Sequence, residues 1–272
     1  MAKETMGDRE ISPTDLLRAV LLNQKNHLHD LIQRLGTEEN PPPNWGADVP
    51  RIIRPMLVGI EASLQSVLRL TEMQDMGVRD LYGIARALHE LAVNVAYIAA
   101  TGRETALLAE RHAFQKHYRT LGRNGQLRGR HEMPETAALA EALAEFTNKK
   151  KSEIADWIKG DMASRITTIR KIDHDAALCL SGSLSSIQKT ASEISHGSYY
   201  GVHYFWCGSN GLSPSERSFA EIWDEHFARL FSTTFSATQG VLRLFAKLLD
   251  RPALYQSQIE AEDYVEGLVR PV

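Results

Sequence analysis

The residues of this chain whose types and spacing could do chemistry are arginine, glutamate, serine and histidine side chains set at helical intervals. Arg86 and Glu90 stand four residues apart, one helical turn, where a guanidinium and a carboxylate can pair and lower each other's desolvation cost. Tyr82, Asn94 and Tyr97 extend that row at spacings of four and three. Far downstream, Ser192 and His196 repeat the four-residue spacing, with Ser181, Ser185, Gln188 and Tyr199 on the same polar side. Such a set could hold a ligand, or it could be a buried network of Arg86, Glu90, Ser192 and His196 that satisfies only itself. A third pair is Arg111 and His117, with five residues between them. An imidazole can take or give a proton near neutral pH and a guanidinium can steady phosphorane charge, so the pair suits metal-independent cleavage of a phosphodiester. Its plain alternative is a solvated face of a charged helix.

Other chemistries find less to work with. Glu193 and His196 make a Glu-x-x-His, half of a di-iron bundle signature, but there is no second copy. His89 and Glu90 would leave the set incomplete, so no metal and no cofactor is expected. His27 and His29 are two apart and do not share a helix face. Cys179 and Cys207 are too few for a zinc cluster or a disulfide scaffold. No Gly-x-Ser-x-Gly is present. The aromatic cluster Tyr199, Tyr200, His203, Tyr204, Phe205 and Trp206 follows His196 directly. It could anchor a loop to the core, or wall a pocket for a base or other planar ligand floored by Arg86 and His196.

The elements that must position these groups read as helices. Residues 80–101 carry Leu81, Ile84, Ala85, Leu88, Leu91, Ala92, Val95, Ile98 and Ala99 on one broad apolar face, and Ala87, Val93, Ala96 and Ala100 fill most of the rest. A helix so apolar is a central one, with its polar groups wholly or partly buried. Ser12-Pro13-Thr14-Asp15 opens a helix that runs to about 35 and ends at Gly36. Further helices are expected over 51–75, 103–121, 135–159, 163–172, 174–200, 215–250 and 252–267. Residues 36–50, with three consecutive prolines, and the basic glycine-rich stretch 122–134, with Arg123, Arg128, Arg130 and His131, read as loops. Lys149, Lys150 and Lys151 fall on the 135–159 helix. Residues 201–206 read as a short strand or an aromatic loop. With few segments alternating at period two, the expected fold is all-α: an antiparallel bundle of seven to nine helices forming one domain over 13–267, after a disordered lead-in over 1–12.

Composition agrees with an ordinary globular chain: 272 residues, 43% hydrophobic and 24% charged. A net charge of −3 argues against a surface that coats nucleic acid wholesale, though not against a local basic groove. No run approaches a membrane span, and residues 1–15 have no apolar core of a signal peptide, so a cytoplasmic location without membrane contact is expected.

Two resemblances add to this. Arg86 and Glu90 with Tyr97 on an apolar helix, followed by Ser192-x-x-x-His196-Gly197, resemble an uncharacterised family of bacterial helical domains over roughly residues 53–200. That resemblance implies a helical fold, a shared Arg/Glu/His cluster and a genomic setting near mobile and phage-defence genes; it implies no reaction. Arg111-His112-Ala113-Phe114-Gln115-Lys116-His117 resembles the motif of HEPN ribonucleases, small helical domains with an arginine, a polar residue and a histidine four to six positions on. This implies an endoribonuclease, a toxin or defence effector, with Arg111 and His117 catalytic, RNA as partner and a site built across a homodimer. The two function classes kept are therefore a binding or interaction module, with RNA or a protein as partner and the Arg86/Glu90/Ser192/His196 cluster as a structural or ligand-holding network, and a HEPN-type ribonuclease.

Overall fold

A computed structural model describes residues 12–37, 41–128, 136–150, 152–158, 160–207 and 218–251. Among these residues the chain forms nine helices and one isolated bridge, Thr147 to Glu153, with no strand. They are α1 (Pro13–Arg34), α2 (Asp48–Leu70), α3 (Gly77–Thr101), α4 (Arg103–Arg128), α5 (Ala137–Glu145), α6 (Met162–Arg170), α7 (His174–Ser195), α8 (Tyr199–Cys207) and α9 (Phe219–Leu248). The protein is an all-α helical bundle. No helix among the described residues is long and apolar enough to cross a membrane.

Local sequence chemistry sets the starts. Ser12, Thr136, Asp161 and Asp173 each accept the backbone N–H three residues on, occupying donors that a new helix leaves unpaired. Ser218 and Glu221 form a full capping box at the start of α9. Pro55 sits inside α2 and removes the bond that would reach the Arg51 carbonyl, yet the helix continues because its Ile53, Leu57, Ile60, Leu64 and Val67 stripe is fully buried.

Helix α3 lies at the centre, packed on α2, α9, α7 and α6. It shares that place with α9, which is buried almost all round from Ile222 to Ala246 and packs on α7, α3 and α1. One continuous apolar core runs from Val20 of α1 to Phe245 of α9.

Three expected elements are corrected. The glycine-rich stretch over 122–128 is helical backbone at the end of α4, since a glycine in a helix costs only about 1 kcal/mol against alanine; residues 129–135 lie outside the described set. The single helix expected over 135–159 stops at Glu145, because the Asn148 side chain accepts from Lys150 N at 2.9 Å and Ser152 N at 3.0 Å and so competes with the helical pattern. Lys149 and Lys150 therefore sit in a turn; Lys151 lies outside the described residues. The helix expected over 174–200 breaks at Gly197, and the aromatic stretch after it is α8 rather than a strand or loop. The 1–11 lead-in and the 252–267 helix also fall outside the described residues.

The α7–α9 contact needs a missing side chain. A Cβ on Gly240 would lie 2.8 Å from Leu180 Cγ and 2.9 Å from the Ala176 carbonyl oxygen, whereas a Cβ on the exposed Gly182 would meet nothing within 4 Å. Gly240→Ala is expected to lose about 1–3 kcal/mol of unfolding free energy in urea titrations through overpacking. Gly182→Ala is expected to gain about 0.5–1 kcal/mol through helix propensity.

Candidate functional site

The polar row of α3 divides among three places, with Tyr82 turned into the core. Near the middle of the helix, Arg86 Nε donates to Glu90 Oε1 at 2.9 Å, as the i,i+4 spacing requires, with side chains 35% and 43% exposed. One turn later, Asn94 turns away from this pair. Its Oδ1 accepts from Arg165 Nη1 of α6 at 2.6 Å, and that guanidinium stands 5.4 Å from the centre of the Trp157 ring. Tyr97 meets the edge of Trp157 at 6.4 Å. Burial pushes the Arg165 pKa down, with nearby acids opposing it. The Asn94–Arg165–Trp157–Tyr97 group has the character of a structural clamp between α3, α6 and the chain before it.

Arg86 itself lines a shallow cleft of about 320 Å³ together with Gln188, Lys189, Ser192 and Glu193 of α7. Arg86 and Ser192, far apart in sequence, are thus brought to one place, and Glu90 joins them through Arg86. The expected buried cluster is corrected in one respect: Arg86, Glu90 and Ser192 are half-buried along an open cleft rather than enclosed in the core. His196 is exposed at the C-cap of α7 and is not among the cleft residues.

The α7–α8 joint explains why. Ser198 N donates to Glu193 O and Gly197 N to Ile194 O, with Gly197 at φ 63°, which is a Schellman cap. Ser198 then accepts from Gly201 N at 3.0 Å, starting α8, while its hydroxyl donates to Glu193 Oε2 at 2.6 Å. A Cβ on Gly201 would lie 2.4 Å from the Glu193 carbonyl oxygen, so α8 crosses the end of α7 at contact distance. This crossing brings Tyr200 beside the cleft, its ring 5.7 Å from Lys189 Nζ and stacked on Tyr204 at 6.3 Å. Tyr199 is 82% exposed and tilted against His203.

Arg111 and His117 are not brought together. Arg111 Nε donates to Glu145 Oε2 at 2.6 Å across α4 and α5, and this carboxylate raises the Arg111 pKa. His117 is exposed, six residues along α4 and so about 120° around it from Arg111. It is His112 that turns inward, 4.9 Å from the Phe146 ring, with burial the main cause of a lowered pKa.

Two buried histidines carry polar chemistry that sequence reasoning missed as a site. His226 Nε2 lies 2.8 Å from the Phe205 carbonyl, which only accepts, so the proton is on Nε2 and Nδ1 accepts from the Tyr82 hydroxyl at 2.6 Å. Burial drives the Tyr82 pKa well above the usual phenol range. His89, 1% exposed, meets Ser183 Oγ at 2.6 Å through Nδ1. The Ser183 hydroxyl donates to Leu180 O, so His89 Nδ1 is the donor and Nε2 is a buried acceptor with no partner among the described residues. The only sequence signal was a histidine on a helix otherwise apolar at that face. Among the described residues, no three His, Cys, Asp or Glu side chains converge as a metal group.

Burial lowers the His89 pKa to about 4 from 6.5, so His89 is neutral in the folded protein. The unfolded chain takes the proton first on acidification, and stability is therefore lost as pH falls from about 6.5 toward 4. Between pH 7.5 and 5.5 this amounts to about 1 kcal/mol. Urea unfolding at the two pH values is expected to show that loss in the wild type and a smaller one in His89→Leu.

The sequence model of a family of unknown function, DUF5677, matches residues 51–212, more than half of the chain, and the chain belongs to that family. The matched span runs from α2 through α8 and contains the whole cleft as well as Arg111 and His117. No curated protein and no solved structure matches the chain.

Proposed function

We propose that this member of a family of unknown function is a binding module whose α3–α7–α8 cleft holds a small anionic ligand bearing a planar ring. The observation that carries this reading is the convergence of Arg86 and Lys189 with Gln188, Ser192 and Glu193 in one cleft beside Tyr200. Lys189 has no carboxylate partner among the described residues, and Arg86 spends only its Nε on Glu90, leaving both Nη groups to donate outward. Gln188, Ser192 and Glu193 supply neutral and acidic hydrogen-bonding groups, so the cleft can read a ligand with donors as well as an anion. Tyr200, half-exposed beside Lys189, offers aromatic surface to a planar ring.

The ribonuclease reading asks Arg111 and His117 to face one phosphate. The Arg111–Glu145 pair and the angle between Arg111 and His117 on α4 support the binding reading instead. The continuous core from α1 to α9 supports one domain across the described residues, and the 13–267 bounds are part of this proposal. A cytoplasmic bacterial module encoded near mobile or phage-defence genes, acting through a small ligand or a partner protein, belongs to the same proposal.

Nucleoside monophosphates are suitable probes because each joins a planar ring to an anion. Calorimetric titration is expected to detect binding of at least one, weakened tenfold or more (about 1.4 kcal/mol) in Arg86→Ala/Lys189→Ala. Absence of binding by all four common bases at millimolar concentration, or binding unchanged in the double variant, overturns the proposal. On induction in bacteria, total RNA is expected to stay intact; cleavage abolished by Arg111→Ala/His117→Ala would restore the ribonuclease reading.

A further inference from the structure

A second cavity, of about 440 Å³, opens between the end of α1, the turn before α2 and the first turns of α2. Leu35, Pro41, Trp45 and Pro50 give it apolar walls, and Arg51 and Arg54 are the charged groups of its lining. The two arginines are in different states. Arg51 is held by Glu110 and by Asp48. Arg54 makes no hydrogen bond or ion pair among the described residues, and its Nη1 stands over Gly36, 3.9 Å from where a Cβ would be.

The walls are built before any ligand arrives. Trp45 is fully buried, its Nε1 donates to Ala99 O at 2.8 Å, and its ring meets Phe245 edge-on at 5.7 Å. The neighbouring Asn44 accepts from Arg103 N at 2.8 Å and lies so close to Gly102, which has φ 91°, that a Cβ there would be 2.6 Å from it. Ordering costs on binding are correspondingly small.

Size, walls and charge together select a ligand class. The volume lies in the lower part of the range of small-molecule pockets. The apolar lining favours a hydrocarbon or aromatic body, and one uncommitted guanidinium matches the two oxygens of a carboxylate. A phosphate dianion fits less well, since Asp48 and Glu110 stand around Arg51 and leave a single cation to answer two charges. We infer that this cavity is a binding site for a small monocarboxylate with an apolar body, the carboxylate on Arg54 and the body against Pro41 and Pro50, which the buried Leu35 and Trp45 back from behind. The site is separate from the Arg86 cleft and does not depend on it.

The test compares hydrocinnamate with hydrocinnamyl alcohol, nearly the same body with and without the charge, by calorimetric titration of the full chain. The acid is expected to bind at least tenfold more tightly than the alcohol. Arg54→Gln is expected to erase that preference while leaving the alcohol's affinity and the melting temperature unchanged, which separates charge recognition from misfolding. Equal binding of acid and alcohol, no binding of the acid at millimolar concentration, or a preference that survives in Arg54→Gln would overturn the inference.

Discussion

The Tyr82 hydroxyl donates to Nδ1 of His226, and Nε2 of the same ring donates to the Phe205 carbonyl, so one imidazole ties α3, α9 and α8 together inside the core. The Phe205 ring stacks on that imidazole at 4.6 Å with an interplanar angle of 5°. Burial of apolar area alone is non-directional and does not choose which groups of α3 and α9 must meet. A buried hydrogen bond is not indifferent: losing one partner leaves a desolvated polar atom at a cost of about 1–3 kcal/mol. The Tyr82–His226–Phe205 chain therefore fixes where α8 sits, and α8 carries Tyr200, which lies beside the candidate cleft.

The α7–α8 joint works from the other side. His196 and Gly197 stop α7 through backbone bonds, Ser198 restarts the chain, and Gly201 lets α8 lie against the Glu193 carbonyl. Glycine is required at both positions for different reasons: Gly197 for its positive φ, Gly201 for space. Ser-x-x-x-His-Gly therefore describes the end of a helix as much as a set of ligands. Within it, Ser192 reaches the cleft and His196 caps the helix.

Much of the bundle was legible because caps and apolar periodicity are local signals. The Ser12-Pro13 start and the broad apolar face of α3 depend on neighbours within a few residues, and the structure places them accordingly. The central position of α9 was hidden by Thr233, Thr234, Thr238, Gln239 and Arg243, which read as polar yet are buried. The three threonines return their hydroxyls to carbonyls one turn back, and Arg243 Nη2 donates to Asp175 of α7, so these residues enter the core with polar partners. The Arg86–Glu90 pair was legible from its spacing. The departure of Asn94 to Arg165 was not, since it depends on α6 arriving from seventy residues away.

What separates a candidate site from a strut in this protein is how each arginine's charge is met. Arg111 faces Glu145, Arg243 faces Asp175, and Arg51 is shared between Asp48 and Glu110; each joins two elements and has little left to offer a ligand. Arg165 is buried against Asn94 and Trp157, where a second anion would have to displace packed atoms. Arg86 is different because its partner is on its own helix, so the pair costs no long-range geometry and leaves the outer nitrogens facing a cleft. A sequence shows the Arg86–Glu90 spacing on one helix but not that Glu145 reaches Arg111 across the fold, and that is why Arg111 stood as an alternative candidate until its partner was in place.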